Sequence, residues 1–421
     1  MSINKDEFKE FVKDLIFPLF TGLSILEEDL PIPKNNRDKL VTTCKDKGDT
    51  ILRLMPEKDA KFVVSIQRSQ KFNKSEIELI RRLLKHANEY GLYQVDYKKE
   101  LVDFIHNKSV AETLSTTADK SILEIINIFM SLSQETYEGH HISYAVAISE
   151  EEVGNSEIYF KDIIKEDFGK TLTNSIDSLL CLDKNCMLLS HMQIESIEQN
   201  SEFKQCYYPL RFEKLANRSL TKKLLVIVLT RDGEILIFKE GNLIFSRRRG
   251  IWTYYLHDIL IKQMGIIRNQ EVKKSIYSTI LDASFSKGGA CIAVVNSETY
   301  LQDLYDKKNF IGNNEDSPLK SKCCYCLILN SEKTLKFNQL PRILRLEFSS
   351  MDGAVLLKTN GDIIAIGAII NIKDGEISEG GRTAAARKLA EKGIAVKVSN
   401  DGYIRAFKKK DKRSKESFRI A

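Results

Sequence analysis

Two short stretches in the last hundred residues carry side chains that can do chemistry together. Ser350-Met351-Asp352-Gly353-Ala354 sets a carboxylate beside a small, open backbone. Gly380-Gly381-Arg382-Thr383-Ala384-Ala385-Ala386 sets two glycines and a guanidinium at the head of a run of helix formers. The first N–H groups of a helix have no partner inside it, and the helix dipole is positive there. Two glycines at that point let a phosphate come close to those amides. Arg382 adds a planar fork of donors suited to phosphate oxygens. Asp352 can bind a divalent cation or orient a hydroxyl. The pair is therefore a candidate site for a metal and a polyphosphate. Each stretch alone has a plainer reading, since Asp-Gly is a common turn and Gly-Gly a common way into a helix.

The surrounding residues predict the elements that position these groups. Val355-Leu356-Leu357-Lys358 reads as a buried strand, and Asn360-Gly361 as the tight turn of a hairpin. Residues 363–370 form the return strand, apolar on both faces and so expected to be central in its sheet. Lys373-Asp374-Gly375-Glu376 is a polar loop. Ala384 to Glu391 is a helix ended by Gly393. Residues 394–398 are a strand that Asn400-Asp401-Gly402 turns into residues 403–407.

At these residues the sequence resembles the diadenylate cyclase family. That family carries an Asp-Gly-Ala motif and, further on, a Gly-Thr-Arg-His-Arg-Ala-Ala motif. They are matched here by Asp352-Gly353-Ala354 and by residues 380–386. Upstream, residues 283–295 are similar to the family's early segment, in which a Gly-Ala pair (here Gly289-Ala290) opens an apolar strand. Downstream, Val396-Lys397-Val398-Ser399 and Asp401-Gly402 are similar to its last strand and turn. The match spans about residues 271–410. The family's His and second Arg are replaced by Thr383 and Ala384, which leaves one guanidinium fewer. A hydrogen bond to a charged group contributes about 1.5–3 kcal/mol.

The resemblance implies an α/β fold with a mixed sheet flanked by helices. It implies condensation of two ATP molecules to cyclic di-AMP and pyrophosphate, with Mg²⁺ or Mn²⁺ as cofactor. Asp352 and Arg382 are then the catalytic residues, and Asp352 is also the metal ligand. Gly353, Ala354, Gly380, Gly381 and Thr383 border the nucleotide. Because each 3′-hydroxyl attacks the other ATP, the resemblance also implies a homo-oligomer with facing sites. The altered motif leaves a second reading open, a catalytically degenerate nucleotide-binding sensor or interaction module.

The rest of the chain bounds these readings. At 421 residues it has room for two or three domains, and 43% hydrophobic and 29% charged residues are ordinary for a globular protein. A net charge of +6 is small for this length, and nucleic acid is not an expected partner. The eight cysteines lack a disulfide-framework spacing, and no apolar run is long enough to span a bilayer. A reduced, cytoplasmic protein without a membrane segment is expected.

Four regions are expected: a helical region at 1–130, an α+β region at 131–270, the cyclase-like domain at 271–410, and a basic tail at 411–421, expected to fray; the resemblance implies that the region before the cyclase-like domain is a sensor. Phe8, Phe11, Val12, Leu15 and Ile16 make one helical face. Pro31-Ile32-Pro33 breaks the chain, and Ser75-Glu76-Ile77-Glu78 reads as the capping-box start of a helix that Gly91 ends. Residues 121–129 are another helix. Residues 224–229, 235–238 and 243–245 form an antiparallel meander. Arg247-Arg248-Arg249 is read as a solvated strand end beside a packed Trp252. Cys323-Cys324-Tyr325-Cys326 is read as part of a strand, without the second cluster that a zinc site needs.

Overall fold

The computed structural model describes residues 3–27, 30, 39–44, 48–58, 60–92, 99–149, 157–195, 197, 202–295, 311, 317–330, 333–371, 380–410 and 413–420. The chain divides into two compact units, one of residues 1–206 and 212–255, the other of 207–211 and 256–421. Both mix helices with sheets. The prolines at 31 and 33 and the loop at 373–376 lie outside the described residues.

The first unit opens with α1 (Lys5–Leu15), whose expected face is buried through Phe8, Phe11, Val12 and Leu15. The region expected to be helical also holds a four-stranded antiparallel sheet. Its strands are β1 (Ser24–Ile25), β2 (Val41–Thr43), β3 (Ile51–Leu54) and β4 (Val64–Gln67), in the order β1-β4-β3-β2. These strands are two to four residues long, too short to show an alternating pattern against the flanking loops. Helix α2 (Lys74–Glu89) begins before the expected capping box. Asn73 is the cap, accepting from the Glu76 N–H, and Glu76 returns the bond to Asn73. Buried Glu76 also pairs with buried Arg68. That fixes the helix start at Asn73 rather than Ser75. Helices α3 (Lys99–Leu114) and α4 (Asp119–Leu132) follow.

A seven-stranded sheet completes this unit: β5 (Tyr144–Ser149), β6 (Ser178–Asp183), β7 (Leu188–Gln193), β8 (Leu225–Leu229), β9 (Ile235–Lys239), β10 (Asn242–Arg248) and β11 (Ile251–Tyr254). Its order is β11-β10-β9-β8-β5-β6-β7, so the predicted meander is present. The arginines do not make a solvated end. Arg248 is buried against Glu234 at 3.1 Å, and Arg247 lies 3.6 Å from Asp103, so only Arg249 is exposed. Trp252 is buried and donates to Asn107 Oδ1 at 2.8 Å.

The second unit contains α5 (Gln270–Phe285), β12 (Ala290–Val295), α6 (Leu319–Ile328), α7 (Arg342–Ser350), β13 (Ala354–Lys358), β14 (Ile363–Ala368), α8 (Gly381–Ala390), β15 (Gly393–Val398), β16 (Ile404–Lys410) and β17 (Arg413–Ile420). The six strands run in the order β14-β13-β12-β15-β16-β17, and only β12 and β13 are parallel neighbours. Ala386, Leu389 and Ala390 of α8 pack on Cys291, Ala293 and Val295. The alternate residues Ile292 and Val294 are equally buried, so the sheet is covered on both faces. A continuous apolar run suits such a strand.

Three expectations change here. Strand β14 is at the sheet edge, not its centre. Its carbonyls are used nonetheless: Gly367 O accepts from Lys320 Nζ at 2.8 Å, and Ile364 O from the Ile311 N–H at 3.2 Å. The cysteine-rich run is in helix α6, which begins after Pro318; periodicity alone does not separate short apolar helices from strands. The basic tail is strand β17, antiparallel to β16 from Ile404 opposite Ile420 to Lys410 opposite Arg413. Its sequence, with Arg413, Lys415, Glu416 and Arg419, is compatible with an edge strand, where charge discourages pairing with other chains.

Candidate nucleotide site

The fold brings the two stretches together. Asp352, Gly353 and Ala354 connect α7 to β13, while Gly381 and Arg382 open α8. All five line one pocket of about 290 Å³, with Cys291, Ala368, Ile369, Ile370 and Ala385.

Glycines at three points make this geometry. Gly353 has φ +95°, and a Cβ there would lie 2.5 Å from the Gly367 carbonyl carbon and 2.7 Å from Ala368 O. No side chain fits. Gly367 mirrors it across the hairpin, with φ +62° and a Cβ position 2.8 Å from Asp352 O. Gly289, from the early segment, leaves room for the guanidinium: a Cβ there would be 1.9 Å from Arg382 Nη1. That same nitrogen donates to Asn400 Oδ1 at 2.9 Å. The sequence places Asn400 only in a turn. It is the residue that holds Arg382 in place, and nothing local in the sequence marked it.

The start of α8 is open. A Cβ on Gly380 or Gly381 would meet nothing within 4 Å. No acidic residue occupies the first turn and no side chain caps it. The Gly381 and Arg382 amides have no acceptor within the helix. Asp352 is exposed, and its Oδ1 accepts from the Gly353 N–H at 3.1 Å. Gly380 and Thr383 do not line the pocket; Gly380 is exposed beyond it, and Thr383 is 3% exposed on the inner side of α8. Ala384, at the other altered position, is also buried.

Cys291 lines the pocket without being a nucleophile. Burial pushes its thiol up to about 12, against the opposing pull of the Arg382 and Lys397 cations. It stays protonated and behaves as a small apolar wall. The pocket therefore has an apolar slot of Ala, Ile and Cys, and a charged rim of Asp352, Arg382 and helix amides. Its volume is at the lower end of the roughly 300–1,000 Å³ usual for small-molecule sites.

No group of three or more metal-ligating side chains occurs among the described residues. A divalent cation at Asp352 would have one protein carboxylate and complete its shell with phosphate oxygens and water. Mg²⁺ is commonly held in that way.

No family model matches the chain, and no curated protein matches it. Among solved structures it is similar to a double mutant of DacA from Staphylococcus aureus. The identity is 20%, the match covers 35% of this chain and 86% of that one, and the TM-score is 0.22. It is similar at 20% identity to a hypothetical membrane-spanning protein from Bacillus cereus, over 38% of this chain and 74% of that one, with a TM-score of 0.21. No helix among the described residues is long and apolar enough to cross a membrane.

Proposed function

We propose that the second unit is a diadenylate cyclase, condensing two ATP molecules into cyclic di-AMP with release of pyrophosphate. The observation that carries this reading is the single pocket in which Asp352-Gly353-Ala354 meets Arg382 and the open start of α8. The base occupies the apolar slot. The phosphates lie along the amides of Gly381 and Arg382, with the guanidinium held ready by Asn400. Asp352 orients the ribose 3′-hydroxyl and accepts its proton as the oxygen bonds to the α-phosphorus of the ATP in a facing copy. The bond from that phosphorus to the pyrophosphate oxygen breaks, and pyrophosphate leaves. Mg²⁺ or Mn²⁺ at Asp352 would offset the negative charge of the phosphates.

One pocket supplies one nucleotide, so turnover needs two copies with facing sites. In dilute solution the rate should rise with the square of protein concentration; a rate strictly linear in protein down to nanomolar levels would contradict the facing-site requirement. The first unit is proposed to supply regulation.

A second reading has its own observation. Thr383 and Ala384 stand where the family carries His and Arg, and both are buried, so α8 offers no second cation beside Arg382. On that reading the unit binds ATP or cyclic di-AMP without turnover. ATP binding without product at high protein concentration is its signature.

A further inference from the structure

We propose that the small sheet of the first unit, together with the start of α2, binds a phosphorylated small molecule of about nucleotide size. This site stands whether or not the second unit turns nucleotide over.

The observation is a row of polar side chains without partners. Thr42 on β2, Arg53 on β3 and Ser65 on β4 are directly opposite one another across the antiparallel sheet. Opposite residues in such a sheet project to the same face. Thr42 is 8% and Ser65 4% exposed, yet Thr42 Oγ1, Arg53 Nε and Ser65 Oγ are all buried without a hydrogen-bond partner. Arg53 makes no ion pair among the described residues. Buried polar atoms are nearly always satisfied, so Thr42 and Arg53, the two of the row that line an open space, call for a ligand there.

The row borders a cavity of about 1020 Å³, which Thr42 and Arg53 line together with Lys39, Lys74, Ser75 and Arg81. The one carboxylate in the lining, Glu78, is already paired with Arg81 and Arg82. Lys74 and Ser75 are also the first two residues of the sixteen-residue helix α2. Asn73 caps the amide of Glu76, and the amides of Lys74 and Ser75 have no acceptor within the helix. Arginine, lysine and backbone amides only donate, so the complement is rich in acceptors and negatively charged. Phosphate meets both demands. The volume is at the upper end of small-molecule sites and exceeds what a bare phosphate needs. Val41 and Ile77 in the lining offer apolar contact to the organic part.

The test is calorimetric titration of the full chain with inorganic pyrophosphate and with ATP at fixed ionic strength. Arg53→Met should weaken pyrophosphate binding tenfold or more, Lys74→Met several-fold, and Arg382→Ala should leave this binding in place. Lys74 is exposed, so its variant carries the test if Arg53→Met fails to fold. Equal binding by wild type and both first-unit variants would overturn the proposal. So would loss of all binding in Arg382→Ala, or no binding at millimolar pyrophosphate. A single-stranded oligonucleotide that displaces pyrophosphate when AMP and ATP do not would also overturn it, by placing nucleic acid in the cavity.

Discussion

The pocket of the second unit and the cavity of the first are built on opposite plans. In the pocket the key cation is already tied down: Arg382 is held by Asn400, in space that Gly289 leaves clear. In the cavity the key cation is untied: Arg53 sits between two hydroxyl side chains, and none of the three has its bond made. A prearranged donor adds little ordering cost when a phosphate binds and acts on a developing charge at once. An unsatisfied buried row carries its cost in the free protein and regains it only with an acceptor in place. The first plan suits turnover, and the second suits sensing of occupancy.

The largest effect expected is on chemistry. Asp352→Asn should lower product formation on the order of 10²–10⁴-fold, the usual contribution of a positioned acid or base, with ATP affinity much less affected. A parallel loss of ATP affinity would make Asp352 a binding residue only.

The next effect is on affinity. Arg382→Ala should weaken ATP binding at the second unit's pocket about 10- to 100-fold, from about 1.5–3 kcal/mol for hydrogen bonds to a charged group. Gly289→Ala should give much of the same loss without touching the motif, because the new methyl claims the place of Arg382 Nη1. Wild-type affinity in Gly289→Ala, by the same titration, would mean that the guanidinium position does not matter.

Smaller effects separate the two plans by stability. Ser65→Ala and Thr42→Val remove unpaired buried hydroxyls, so each should leave the free protein as stable or raise its stability by up to about 1 kcal/mol. Thermal unfolding measures this; clear destabilisation would show that these hydroxyls are satisfied after all.

The smallest effect is at alkaline pH. The Cys291 thiol is raised from 9.0 to about 12 by burial, so the folded state holds its proton more tightly than the unfolded chain does. Its contribution is fully present below about pH 9 and is lost as pH rises towards about 12. Cys291→Ala should flatten that part of the alkaline loss, as followed by unfolding midpoints. An unchanged alkaline slope would remove Cys291 from it.

The same contrast explains what could be read beforehand. Asp352-Gly353-Ala354 and Gly381-Arg382 are contiguous stretches with local turn and helix chemistry, so their types and spacing carried them into one pocket on paper. Asn400 escaped because its role depends on a tertiary contact to Arg382, eighteen residues earlier in the chain. The Thr42, Arg53 and Ser65 row escaped because β2, β3 and β4 are three and four residues long and only their pairing aligns it. The two C-terminal misreadings share a cause. Composition makes residues 363–370 apolar enough for a sheet centre and residues 411–421 basic enough for a frayed end, whereas strand position is decided by pairing and by what covers the edge.

The most direct measurement is incubation of the purified full chain with ATP and Mg²⁺ or Mn²⁺, resolving products by chromatography and mass spectrometry beside Asp352→Asn. Cyclic di-AMP and pyrophosphate from the wild type, and on the order of 10²–10⁴-fold less from the variant, is the expected result. ATP binding that Arg382→Ala weakens, with no product from the wild type at any protein concentration or with either metal, would contradict the cyclase and leave a nucleotide-binding module in its place.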